Sequence, residues 1–128
     1  MPLANGPFEV KLTPQDQAAD LAHGRMRLDK QFHGELEAVS RGEMLAMMNR
    51  ERGSGVYVAL ERVEGALAGR RGAFALAHTG VMDRGAQSLR LFVVPDSGEE
   101  ELAGLTGDMK IIITNGEHAY EFDYALPE

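Results

Sequence analysis

Apolar and polar residues alternate along most of this chain, with a period of two rather than 3.6. Phe8, Val10 and Leu12 alternate with Glu9 and Lys11, the pattern of a half-buried strand. Residues 1–6 ahead of it read as an N-terminal tail. Thr13-Pro14-Gln15-Asp16 resembles a helix cap with proline at the first helical position, and the polar, alanine-rich residues that follow complete a loop over 13–23 with at most one helical turn. From Gly24 the alternation returns, with Met26, Leu28, Lys30 and Phe32 on one face and Arg25, Arg27, Asp29 and Gln31 on the other. It continues through Gly34 and Leu36.

The stretch from Arg41 to Arg52 is ambiguous. Glu43, Met44, Leu45, Ala46, Met47 and Met48 all favour helix intrinsically. The run is short, is bracketed by Gly42 and Gly53, and lies between strand-like segments, so tertiary context favours a strand. Beyond it, Tyr57, Ala59, Glu61 and Val63 share a face. Gly69-Arg70-Arg71-Gly72 reads as a turn, after which Phe74, Leu76, His78, Gly80 and Met82 alternate with small residues. Asp83-Arg84-Gly85 turns the chain into Leu89–Val94, and Pro95-Asp96-Ser97-Gly98 stops it. Met109, Ile111 and Ile113 form one face of the next strand. Asn115-Gly116 is the strongest hairpin signal, since both central residues of a type I′ turn need positive φ. The last strand sets Tyr120, Phe122 and Tyr124 against Glu121 and Asp123.

About eight short strands with glycine-containing turns predict an all-β fold, either a sandwich or a closed barrel. The barrel is favoured, because closure removes the exposed edges of a long meander. Eight strands leave an interior wide enough for side chains or one small ligand. The 128 residues suit one domain over 1–128. Fifteen glycines, against roughly 7% on average, fit many tight turns spread along the chain.

Composition narrows the chemistry. With no cysteine there is no disulfide scaffold, thiolate metal site or cysteine nucleophile. A net charge of −7 argues against nucleic acid, which requires clustered cations; Arg70-Arg71 is too small a patch. No export signal is visible in Met1–Pro7, and the apolar runs Val56–Leu60 and Leu91–Val94 fall far short of the ~20 residues of a spanning helix. A cytoplasmic protein with no membrane partner is the default expectation.

Several strings resemble a mainly bacterial family of unknown activity, domain of unknown function 3224. They are Met26-Arg27-Leu28-Asp29-Lys30-Gln31-Phe32-His33-Gly34-Glu35-Leu36-Glu37, Gly42-Glu43-Met44-Leu45, Gly55–Gly65, Gly72–Gly80, Val93–Gly98 and Glu101–Gly107. The resemblance covers nearly everything from Phe8 to Leu126. It implies a single eight-stranded antiparallel barrel, calycin-like and similar to the allene oxide cyclase barrels, which are often oligomeric. A homo-oligomer is therefore expected. The resemblance brings no family activity, and a fold does not set a function.

The sharpest constellation is Lys30, Glu61 and His78. Each lies on a different strand, in phase with large apolar residues, where charged groups are rarely buried unless paired. They form either a structural polar network or a proton-transfer set, with histidine or glutamate as base and lysine as a stabiliser of negative charge. Tyr57, Tyr120 and Tyr124 fall on inward-looking faces, where they would pack in the core or orient a ligand. Glu43 and Glu37 point outward on the simplest register; a bulge at Gly42 would turn Glu43 inward toward a ligand. His23, His33, His78 and His118 show no paired spacing, so neither a metal nor another cofactor is expected. Met44, Met47 and Met48 would suit an adaptable apolar pocket or ordinary core packing. These residues favour a barrel that takes a small apolar or aromatic molecule in its lumen, either as a binder or as a cofactor-independent isomerase, cyclase or lyase. The alternative is a non-catalytic oligomeric protein with a filled core.

Overall fold

A computed structural model describes residues 2–15 and 24–127. Nine strands follow in order: β1 (Leu3–Pro14), β2 (Gly24–Phe32), β3 (Leu36–Asn49), β4 (Ser54–Leu67), β5 (Arg70–Asp83), β6 (Ala86–Val93), β7 (Glu99–Glu100), β8 (Thr106–Thr114) and β9 (Glu117–Ala125). Eight of them pair antiparallel in the circular order β4-β3-β2-β1-β9-β8-β6-β5, and β4 closes onto β5. The two-residue β7 lies outside this ring, against Gly72 and Ala73 of β5. The expected eight-stranded antiparallel barrel is therefore present. Among the described residues there is no helix, and so none long and apolar enough to cross a membrane.

Several local expectations change. β1 begins at Leu3, pairing Leu3–Phe8 with β9, so the expected tail is already in the sheet from Leu3 on. Thr13 and Pro14 extend β1 opposite Arg27 and Met26 rather than capping a helix. The remainder of that expected loop, residues 16–23, lies outside the described residues. Arg41 to Asn49 is strand, as context suggested. β3 is laddered on both sides, to β2 and to β4, and a helix there would orphan the backbone donors and acceptors of both neighbours. The turn after β4 is the two-residue Ala68-Gly69, at φ 49° and 85°. Arg70 and Arg71 are already paired with Leu67 and Ala66. Two further turns have the same positive-φ pairs, at Arg84-Gly85 and Asn115-Gly116.

The interior is divided along its length. At the end holding the β2–β3 and β4–β5 connections, Phe32, Leu36, Val63, Leu67, Phe74 and Phe122 are fully buried. The 94–105 connection adds Leu102 and Leu105 to that plug, and Ser97 pins it by accepting the Ala75 N–H at 3.0 Å and donating to the Val94 carbonyl at 2.7 Å. The Tyr120 hydroxyl accepts the Leu36 N–H at 2.9 Å and donates to the His33 carbonyl at 2.7 Å. Gly6 makes room for this tie, because a Cβ there would run into the His33 carbonyl and lie 3.0 Å from the hydroxyl. Among the described residues, none fills the opposite end in this way.

Ala68 adopts positive φ without an Asn or Asp side chain suited to it, a strain of about 1–2 kcal/mol. Ala68→Asn, which creates an Asn-Gly turn, should raise unfolding stability by about 0.5–1 kcal/mol. Urea denaturation checks this.

Candidate functional site

Four adjacent strands build a polar layer across the middle of the barrel. Lys30 comes from β2, Ser40 from β3, Glu61 from β4 and His78 from β5, and all four are buried. Lys30 is the ladder partner of Ser40, and Gly42 that of Glu61. Gly42 is needed at this spot: a Cβ on it would lie 2.8 Å from that of Glu61 and would press on the Leu60 carbonyl.

Glu61 is the hub. Its Oε2 accepts from Lys30 Nζ at 2.8 Å and also bonds His78 Nε2, while Oε1 accepts from Ser40 Oγ at 2.7 Å. Burial by itself would raise the Glu61 carboxyl. The hydrogen bond from His78 and the charge of Lys30 outweigh it and hold the group at about 2. Glu61 is thus a carboxylate, which can only accept, so Nε2 of His78 is the donor. The Lys30 ammonium also sits 5.5 Å and 5.8 Å from the ring centres of Phe8 and Phe32, within cation–π reach.

Above this floor lies a cavity of about 340 Å³, lined by Lys30, His78, Tyr57, Val10, Leu28 and Met44 among others. Its walls are mostly apolar. Met48 and Met82 stand on one side, Leu12, Ile111 and Ile113 on another, and His118 packs its ring on Phe8 at 5.4 Å. Tyr57 lies edge-on to His78, centroids 6.4 Å apart. Its ring fills the place where a Gly80 side chain would stand. Burial, and next the charge of Glu61, push the Tyr57 hydroxyl above its ordinary value. Among the described residues, the cavity opens at the end bearing the 84–85 and 115–116 turns. β6 and β8 share only the Phe92–Asp108 ladder pair, and toward this mouth Leu89 and Ile113 are exposed.

The family model described as "Protein of unknown function (DUF3224)" matches residues 4–124. The chain belongs to the DUF3224 family. A crystal structure described as a protein with unknown function from that family, from Shewanella oneidensis MR-1, is 50% identical, with a TM-score of 0.94, and the match covers 100% of this chain and 98% of that one. No curated protein matches the chain.

In this DUF3224 barrel, Lys30, Glu61 and His78 meet as their shared phase suggested, and Tyr57 joins them at the cavity wall. The other candidates stand elsewhere. Tyr120 and Tyr124 face inward but belong to the plugged end, Tyr120 held by the Leu36 and His33 backbone and Tyr124 packed 5.4 Å from the Phe122 ring. Neither lines the cavity. Glu43 is on the outer face, paired with Arg25. The register runs unbroken through Arg41–Arg62, Gly42–Glu61 and Glu43–Leu60, so no bulge turns it inward. Glu37 is likewise exposed, near His33. Of the methionine trio, Met44 and Met48 line the cavity and Met47 faces out. The sequence reading does not name Ser40, and it weighs His118 only as a metal ligand. Parity with Ala38 and Gly42, and with Tyr120 and Phe122, would have flagged both. Among the described residues no three His, Asp or Glu side chains group as metal ligands.

The depressed Glu61 value ties stability to pH. The unfolded chain titrates near the ordinary 4.5 and the folded one near about 2. The contribution of Glu61 is therefore complete above about pH 4.5 and disappears as the pH falls toward 2. Glu61→Gln should cost about 3–5 kcal/mol at neutral pH by leaving Lys30 buried without its counter-charge. Its stability should also change less than the wild type's between pH 4.5 and 3, as urea midpoints at each pH would show.

Proposed function

We propose that the protein binds a small apolar or aromatic molecule in the open half of its barrel, anchored at the polar floor. The observation that carries this reading is the 340 Å³ cavity with apolar walls above the buried Lys30, Glu61 and His78. Ligand sites are typically concavities of ~300–1,000 Å³, lined by apolar groups with a few polar ones. Flexible methionines at Met44, Met48 and Met82 suit a wall that adapts to its occupant. The imidazole fixed by a carboxylate also suits general-base chemistry, so turnover of the bound molecule by a cofactor-independent isomerase, cyclase or lyase step is compatible with the same site.

Capture of ligands from cell extract, followed by denaturation and mass spectrometry, tests the binding. Wild-type protein should release one or a few apolar compounds, and Met44→Trp, which fills the cavity, should release far less. Equal release from both proteins, with the variant's fold intact by circular dichroism, overturns the reading.

A second property is favoured by a separate observation. Leu45, Met47, Val56, Val58, Leu60 and Val81 are each 40–64% exposed on the outer face. The registers Leu45–Val58, Met47–Val56 and Val56–Val81 join them into one patch across β3, β4 and β5. Contiguous apolar patches beyond a few hundred Å² mark interaction sites. The rim carries both signs, Arg41 and Arg62 with Glu43 and Glu64, so two identical faces can meet about a two-fold axis with opposite charges opposed. We infer that a second copy of this chain covers it. By light scattering the wild type should run as a multiple of the 13.9 kDa chain, and Leu60→Glu should run as a monomer. A monomeric wild type overturns the inference.

A further inference from the structure

We propose that the occupant of the lumen carries a single weakly acidic hydroxyl, a phenol or an enol on a flat apolar body, and that this hydroxyl donates to Nδ1 of His78. The proposal rests on the lumen being a binding site and names the chemistry of what it binds.

The acceptor oxygens of Glu61 are engaged internally, while Lys30 keeps two N–H donors. Glu61 spends Oε1 on Ser40 and Oε2 on Lys30 and His78. Lys30 gives one N–H to Glu61 and directs its charge at the Phe8 and Phe32 rings. His78 gives Nε2–H to Glu61, which leaves Nδ1. The residue is only 5% exposed, its ring lines the cavity, and among the described residues Nδ1 has no partner. No buried, unpartnered side-chain polar atom occurs among those residues, so Nδ1 borders the open space. In the neutral ring this nitrogen is a hydrogen-bond acceptor. An acceptor at the bottom of an apolar cavity selects a ligand with a donor, since an occupant without one leaves it unpaired.

Charge narrows the donor further. Lys30 and Glu61 cancel, so a carboxylate or an ammonium brought here would be buried without compensation. A neutral hydroxyl brings no such cost. The acidity of a phenol or enol makes it the stronger partner for an imidazole. If the proton crosses, the O–H bond breaks as N–H forms at Nδ1, and the imidazolium lies between the Glu61 carboxylate and the new oxyanion. The flat body follows from the walls: the Tyr57 ring on the His78 side and the Phe8–His118 ring pair on another wall offer planar faces.

Calorimetric titration of the wild-type protein with 4-ethylphenol, ethylbenzene and 4-ethylbenzoate separates the possibilities. The phenol should bind about tenfold to a hundredfold more tightly than either analogue. The ¹⁵N resonance of His78 Nδ1 should move on adding the phenol and stay in place with ethylbenzene, a readout that needs no variant. In His78→Phe the preference for the phenol over the hydrocarbon should vanish. Ethylbenzene or ethylbenzoate binding as tightly as the phenol, or an unmoved Nδ1 resonance, overturns the hydroxyl assignment and leaves the lumen reading standing. Failure of all three probes to bind overturns both.

Discussion

A carboxylate buried in the middle of a β-barrel sets the terms for its surroundings. Glu61 is fully enclosed, and an ionised group so placed survives only if its lone pairs are met by donors and its charge by a cation. That requirement accounts for Ser40, Lys30 and His78, each delivered by a neighbouring strand, and for Gly42, whose missing side chain leaves the carboxylate its room. It also fixes how the four strands β2 to β5 sit against one another. A slip of one residue would turn one of these groups outward and orphan the rest.

The polar layer also separates two kinds of interior. On one side aromatic and branched side chains from most of the strands and the 94–105 connection form a packed plug. On the other the same strands carry methionine, leucine, valine and isoleucine around open space. Burial on the plugged side supplies hydrophobic stabilisation at ~25 cal/mol per Å² of apolar surface. The open side can therefore stay unfilled without the barrel depending on it.

Much of this was legible in the sequence because a strand has only two faces. Alternation placed Lys30, Glu61 and His78 inside, and separate strands with shared parity brought them together. Parity has no information about height along the barrel, so it cannot separate Tyr57 at the cavity from Tyr120 and Tyr124, which point inward at the plug two and six residues along their strand from His118. Glu43 depended on whether β3 carried a bulge, which is a property of the pairing with β4 and not of the local residues. The turn after Leu67 was placed late because Arg70 and Arg71 are polar in a strand whose start is exposed. Ala68 gives no compositional hint of the positive φ it adopts.

The sparse pairing of β6 with β8 bears on mechanics. Everywhere else around the ring, widening the cylinder would break ladder hydrogen bonds in proportion to the length moved. Between these two strands only the Phe92–Asp108 rung ties the wall, so fewer ladder hydrogen bonds resist separation along this seam than along any other. The continuous ladders from β2 to β5, which carry the charged layer, lie on the other side of the cylinder from this weakly stitched seam.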